Sequence, residues 1–123
     1  MTRHEELTIA PPPLLDPADP ALGDAVLRGA AALFTALAAP VRLRILDALD
    51  RGEASVGVLV DAAEASQPNV SQHLKVLLAA GLVERRRAGA YVVYALRDGP
   101  SLRACRSLCT ELVTPAVPMT DPR

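Results

Sequence analysis

Tryptophan is absent from this 123-residue chain, and Phe34, Tyr91 and Tyr94 are its only aromatic residues. Three rings are too few for a stacking platform, which argues against a single-stranded nucleic acid as partner. Histidine is nearly as scarce. His4 lies in a polar N-terminal stretch, and His73 stands alone on a helical segment with no second and third group to orient it, so the sequence predicts no enzyme. Two cysteines, Cys105 and Cys109, cannot form a disulfide framework, which leaves metal, redox or packing roles. No apolar run reaches the roughly 18 residues of a membrane span. The first six residues, Met-Thr-Arg-His-Glu-Glu, are too acidic and polar for a secretory signal. The expectation is a cytoplasmic protein without a membrane partner.

A strong net charge is also missing: the formal total is -1. That total hides an asymmetry. Residues 66–97 carry Lys75, Arg85, Arg86, Arg87 and Arg97 against Glu84 alone, whereas residues 1–23 carry Arg3 against Glu5, Glu6, Asp16 and Asp19. Positive charge is therefore concentrated in one stretch, which is where a nucleic-acid contact is to be sought. With 50% hydrophobic residues, the chain is long enough for one domain with a single core. Prolines mark the ends. Five fall in residues 1–20, read as a disordered tail, and three in 115–123, read as a C-terminal tail, leaving 21–114 as the folded domain.

Within that domain, Val26, Leu27, Ala30, Leu33, Phe34 and Leu37 recur at helical spacing and predict a first helix from Asp24 to Leu37. Pro40 opens a second, with Val41, Ile45, Leu46 and Leu49 inward and Arg42, Arg44 and Asp47 outward, stopped by Asp50-Arg51-Gly52. Ser55 to Ala62 is a short third, with Val56, Leu59 and Val60 on its buried side. After the linker Ala63-Glu64-Ala65, Ser66 caps a fourth helix that ends near Ala80, with Gly81 suited to a left-handed C-terminal position. Leu82 to Arg87 and Ala90 to Leu96 read as two strands joined at Ala88-Gly89. Pro100 to Val113 is a fifth helix with Leu102, Cys105, Leu108, Cys109 and Leu112 along one face.

The fourth helix carries the chemistry. Its Val70, Leu74, Leu77 and Leu78 form one apolar stripe, and the outer side holds short amides with one cation. Asn and Gln pair bidentately with adenine, while Lys and Ser reach guanine or phosphate, so this face suits duplex DNA. Helix, tight linker, amide-faced helix and basic hairpin together predict a mainly α winged helix-turn-helix of about five helices. Gln67, Asn69, Ser71, Gln72 and Lys75 are the expected base and phosphate readers, and Arg85, Arg86 and Arg87 the wing contacts. His73 is read as a hydrogen-bonded structural residue in preference to a phosphate contact. Apolar surface on the first and fifth helices predicts a homodimer.

Three stretches resemble the ArsR/SmtB family of bacterial winged-helix repressors, from about Ala30 to Leu112. Residues 36–46, ALAAPVRLRIL, are similar to that family's ALADPxRLxIL segment, with Ala39 where Asp is common. Residues 66–77, SQPNVSQHLKVL, resemble its recognition helix, and Gly89 with residues 91–96, YVVYAL, its wing. The resemblance implies a dimer that represses transcription at an inverted-repeat operator in double-stranded DNA and releases it when a metal, metalloid or oxidant is sensed.

The departures concern the sensor. Where thiol-based members have Cys-Val-Cys in the third helix, this chain has Ser55-Val56-Gly57. At the positions of the family's zinc-type site it has Asp98, Pro100, Glu111 and Thr114, with both imidazoles missing. What remains is Cys105 and Cys109, one turn apart. They read either as soft ligands for a thiophilic ion, As(III), Sb(III), Cd, Pb, Hg or Cu(I), or as a redox pair, or as small buried hydrophobes of a protein without a sensor. No cofactor is required. A function from another class is a protein-interaction winged helix that uses the apolar fifth helix and no DNA.

Overall fold

In a computed structural model that describes residues 23–113 together with Ala18, the prolines at 40, 68 and 100 each sit in the first turn of a helix. There the missing N–H has no carbonyl to lose and the fixed φ already suits the helix. The order is α1 (Asp24–Leu37), α2 (Pro40–Asp50), α3 (Val56–Ala63), α4 (Gln67–Ala79), β1 (Val83–Ala88), β2 (Tyr91–Leu96) and α5 (Pro100–Val113). No single helix among the described residues is long and apolar enough to cross a membrane. The two tails expected at residues 1–20 and 115–123 lie outside the description apart from Ala18.

The apolar stripes meet where their spacing placed them. Ile45, Leu46 and Leu49 of α2, Leu59 of α3, and Val70, Leu74 and Leu77 of α4 form one cluster with Leu82, Val83, Tyr94, Leu102 and Cys105. Leu59, Leu74, Leu77 and Leu82 are almost wholly buried, so truncating one of them to Ala costs about 2–5 kcal/mol. α1 meets α2 at 88° and contributes only Ala36 as a buried side chain, with Leu33 and Leu37 half-buried. Val26, Leu27 and Phe34 of α1 are exposed, as are Leu108 and Leu112 of α5, Phe34 by 62% and Leu112 by 76%.

β1 and β2 pair antiparallel from Val83↔Leu96 to Ala88↔Tyr91, and Ala54 adds a bridge to Tyr94 through bonds of 2.9 and 2.8 Å. The hairpin turn is one residue later than the sequence reading placed it, at Gly89-Ala90. Gly89 takes φ 65° and Ala90 keeps a negative φ, as a two-residue turn with glycine first requires, so Ala88 is drawn into β1. At the end of α4, Gly81 has φ 75°, the left-handed backbone that its position after the helix predicted. The architecture is a winged helix-turn-helix, mainly α with a two-stranded wing.

Candidate nucleic-acid interface

Two caps and one left-handed residue set the reading helix. Ser55 Oγ accepts from Val58 N at 3.5 Å to start α3, and Ser66 Oγ accepts from Asn69 N at 3.3 Å to start α4. Between them Glu64 closes α3 at φ 55°, which turns the chain within three residues. Val70, Leu74 and Leu77 then anchor α4 in the core, and the opposite side is left to solvent. Of the expected readers, Gln67, Asn69, Gln72 and Lys75 are exposed and Ser71 is half-buried beside them. Asn, Gln, Ser and Lys side chains on one protruding helix have the size and donor set to enter a major groove.

β1 packs against α4, so the wing stands beside this face. The three wing arginines are not equivalent. Arg85 and Arg87 share one side of the strand and Arg86 takes the other. Among the described residues Arg85 and Arg87 have no ion-pair partner, whereas Arg86 Nη2 donates to both carboxylate oxygens of Glu53. A surface pair of this kind contributes about 0–1 kcal/mol, so its interest is that it occupies a cation expected to face phosphate. No sequence pattern pairs Glu53 with Arg86, because only the hairpin's return past Ala54 brings the two together.

Arg42 is the residue that the periodicity misplaced. Its spacing predicts the outer face of α2, yet it is half-buried and folds back under the end of α1. Its Nε donates to Ala36 O at 2.7 Å, a carbonyl at the helix end, and its Nη2 to Thr35 O at 2.8 Å, which also accepts from Ala38 N at 3.1 Å. Its Nη1 donates to His73 Nδ1 at 2.9 Å. His73 is therefore a structural residue, as expected, and its proton sits on Nε2 because a guanidinium has nothing to accept with. Burial, then the charge of Arg42, holds the imidazole below its ordinary pKa. A forked cation just after an orphaned helix end was the sequence signal for Arg42.

Away from the reading face, α2, the end of β2 and α5 enclose a cleft of about 200 Å³. Its walls are Leu43, Leu46, Leu96 and Leu102, and Cys105 and Cys109 line it together. At the rim Arg106 Nη2 donates to Asp50 Oδ1 at 2.8 Å, and that bond and charge hold the Asp50 carboxyl below the usual range. Cys105 is buried and Cys109 half-buried. Burial, and then the neighbouring Cys109, push the Cys105 thiol up to about 11, so at neutral pH it is protonated and a weak nucleophile. Among the described residues no three His, Cys, Asp or Glu side chains gather as a metal-binding group. At the zinc-type positions, Asp98 is 93% exposed with Arg103 at 3.9 Å, Glu111 is exposed, Pro100 has no donor and Thr114 is outside the described residues. These residues do not fit a zinc site.

Residues 39–85, from the start of α2 into the wing, match the family of bacterial regulatory proteins described as the arsR family. The chain is 49% identical over 73 residues to the HTH-type transcriptional repressor SmtB of Mycobacterium tuberculosis, a match covering 59% of this chain and 54% of SmtB. It is 43% identical over 68 residues to the probable mercury resistance operon repressor of Streptomyces lividans, covering 55% and 54% of the two chains. The chain thus spans about half the length of these two repressors. Among solved structures, the homodimeric winged helix-turn-helix DNA-binding domain of a possible ArsR-family regulator from Mycobacterium bovis superimposes with a TM-score of 0.64 at 31% identity, covering 76% of this chain and 89% of that one. These are transcriptional regulators and not enzymes, and with the same elements and the same reading-helix segment, this chain belongs to the ArsR family.

Proposed function

We propose that the chain is a homodimeric, cytoplasmic transcriptional repressor that binds an inverted-repeat operator in double-stranded DNA, and that a thiophilic metal or metalloid ion at Cys105 and Cys109 releases it. The observation that carries the DNA-binding part is the set of exposed Gln67, Asn69, Gln72 and Lys75 with half-buried Ser71 beside them, on a helix held from behind by three core residues, with Arg85, Arg86 and Arg87 on the adjacent strand. Uncovered Val26, Leu27 and Phe34 of α1 and Leu108 and Leu112 of α5 support the dimer, because a monomer rarely leaves so many large apolar side chains in water. The M. bovis relative is homodimeric. Residues 21–114 form the functional unit in this reading, with the tails outside it.

The inducer part rests on two soft donors in one cleft. One relative is described as a probable mercury resistance operon repressor, which supports a soft ion. Binding there would pull on α5, and if α5 is the dimer helix this alters the separation of the two reading helices. A coupling of about 1–3 kcal/mol corresponds to a loss of DNA affinity of roughly 5- to 150-fold. The place of Cys105 in the core favours a second reading, a repressor whose cysteines only pack. A double variant, Cys105→Ser with Cys109→Ser, separates the two. It should bind operator like the parent and stay bound when As(III), Sb(III), Cd, Pb, Hg or Cu(I) is added. Release of the double variant and the parent alike, or of neither, would leave the cysteines as packing.

A further inference from the structure

We infer that Arg42 is the positioning residue that fixes the separation of the two reading helices, by locking α1, the helix with the uncovered dimer face, to the body that holds α4. The inference rests on the dimeric DNA-binding reading above and names the residue that sets its half-site spacing.

Packing alone holds α1 weakly. It contributes Ala36 as a buried side chain and, among the described residues, packs substantially only on α2, at 88° across the short link Ala38-Ala39. α4 is seated differently, on α2, α3 and β1, with Val70, Leu74 and Leu77 in the core. The face proposed for the partner and the face proposed for DNA therefore belong to two parts joined at one elbow.

Arg42 spans that elbow. From the first turn of α2 it gives Nε to Ala36 O and Nη2 to Thr35 O, both in the last turn of α1, and Nη1 to His73 Nδ1 on α4. The guanidinium is a planar fork with its donors in fixed directions, so the bond to His73 sets the plane in which the other two point. His73 stands between Gln72 and Lys75 in the sequence of the reading helix. One side chain thus ties the end of α1 to the turn of α4 that carries two of the proposed readers.

The scale of DNA makes this brace matter. Two reading helices in successive major grooves lie about 34 Å apart, which puts each roughly 17 Å from the two-fold axis. A tilt of about 10° at the elbow then moves a reading helix by about 3 Å, close to the ~3.4 Å rise of one base pair. A loose elbow accepts half-sites that are a base pair too near or too far. A braced one rejects them.

The test uses the full chain and the inverted repeat that in vitro selection recovers, offered at its preferred spacing, at spacings a base pair shorter and longer, and as a single half-site. Arg42→Lys keeps the charge and loses the fork. It should remain a dimer by light scattering, bind the single half-site within about 2-fold of the parent with the same salt slope, and lose about 10-fold in its preference for the parent's spacing. His73→Leu should lose that preference in the same way, whereas His73→Asn, which keeps an acceptor close to the place of Nδ1, should retain most of it. Half-site binding also reports that each variant is folded. An Arg42→Lys chain that discriminates spacing as sharply as the parent would overturn the inference. Equal losses on the half-site and at every spacing would do so too, by making Arg42 a phosphate contact or a residue of the fold alone. A parent that is indifferent to spacing would instead overturn the dimeric reading, and the inference with it.

Discussion

Arg42 Nη1 lies 2.9 Å from His73 Nδ1, so the guanidinium that caps the end of α1 is hydrogen-bonded to the reading helix. The bond requires a neutral imidazole, since a protonated one has no lone pair to accept with and repels the cation. Burial and Arg42 both depress the His73 pKa in the folded chain. A base with a depressed folded pKa contributes stability that is present above its unfolded value, about 6.5, and is lost as pH falls through the folded value. Melting temperature should therefore drop as the solution is acidified below about pH 6.5. His73→Gln keeps an acceptor that does not titrate and should flatten that part of the profile. Identical slopes for parent and variant between neutral pH and the carboxylate range would show that His73 contributes nothing to them.

On the DNA side, the readers and the wing should separate by specificity. Gln72→Ala is expected to cost about 1–3 kcal/mol on the preferred sequence and little on random duplex. Arg87→Ala should weaken all sequences alike and lower the salt slope by about 1 for each wing. Arg86 is held by Glu53, so Arg86→Ala should cost less than Arg87→Ala, and Glu53→Gln should raise affinity for random DNA by releasing a cation. Anisotropy titrations at several salt concentrations read all four. Equal losses on both kinds of DNA for Gln72→Ala would remove it from the readers.

If α1 carries the dimer contact, an acid placed in it should split the dimer. Phe34 is 62% exposed in the single chain, so Phe34→Glu leaves the core intact and should give monomers by light scattering at tens of micromolar protein, on the order of the concentrations at which small dimers are assayed. A variant of unchanged mass would place the interface elsewhere.

Glu64 is strained in the folded chain. It is the described non-glycine residue with positive φ, 55°, and glycine adopts that backbone without steric cost. Glu64→Gly should stabilise the domain by about 0.5–1 kcal/mol, measured by urea unfolding at unchanged m. Destabilisation would mean that its side chain does more than fill the turn.

Most of the fold was legible because its signals are local. Pro40, Pro68 and Pro100 mark helix starts, Ser55 and Ser66 cap, Gly81 stops α4, and Val70, Leu74 and Leu77, at i, i+4 and i+7 of α4, are the residues the core takes. The exposed amide face followed from the same periodicity. What was not legible depends on distant parts of the chain. Arg42 reads as a surface cation on α2 until α1 ends beside it and α4 brings His73 within reach. Arg86 reads as a free wing cation until the bridge at Ala54 sets Glu53 opposite. The spacing of Cys105 and Cys109 was visible, but the leucine-walled cleft they line is made by α2 and the end of β2, and nothing in α5 alone announces it.

The central claim, a two-fold pair of reading helices on duplex DNA, is tested most directly by in vitro selection from a library of random duplexes, with the bound fraction sequenced at low salt. The account predicts enrichment of an inverted repeat whose half-sites are about 10 bp apart or a multiple of that, with affinity falling by about 10³- to 10⁵-fold between roughly 50 and 200 mM salt if the dimer neutralises roughly 6 to 10 phosphates. Recovery of duplexes that share no repeat, or no retention of duplex DNA at about 50 mM salt, would contradict it.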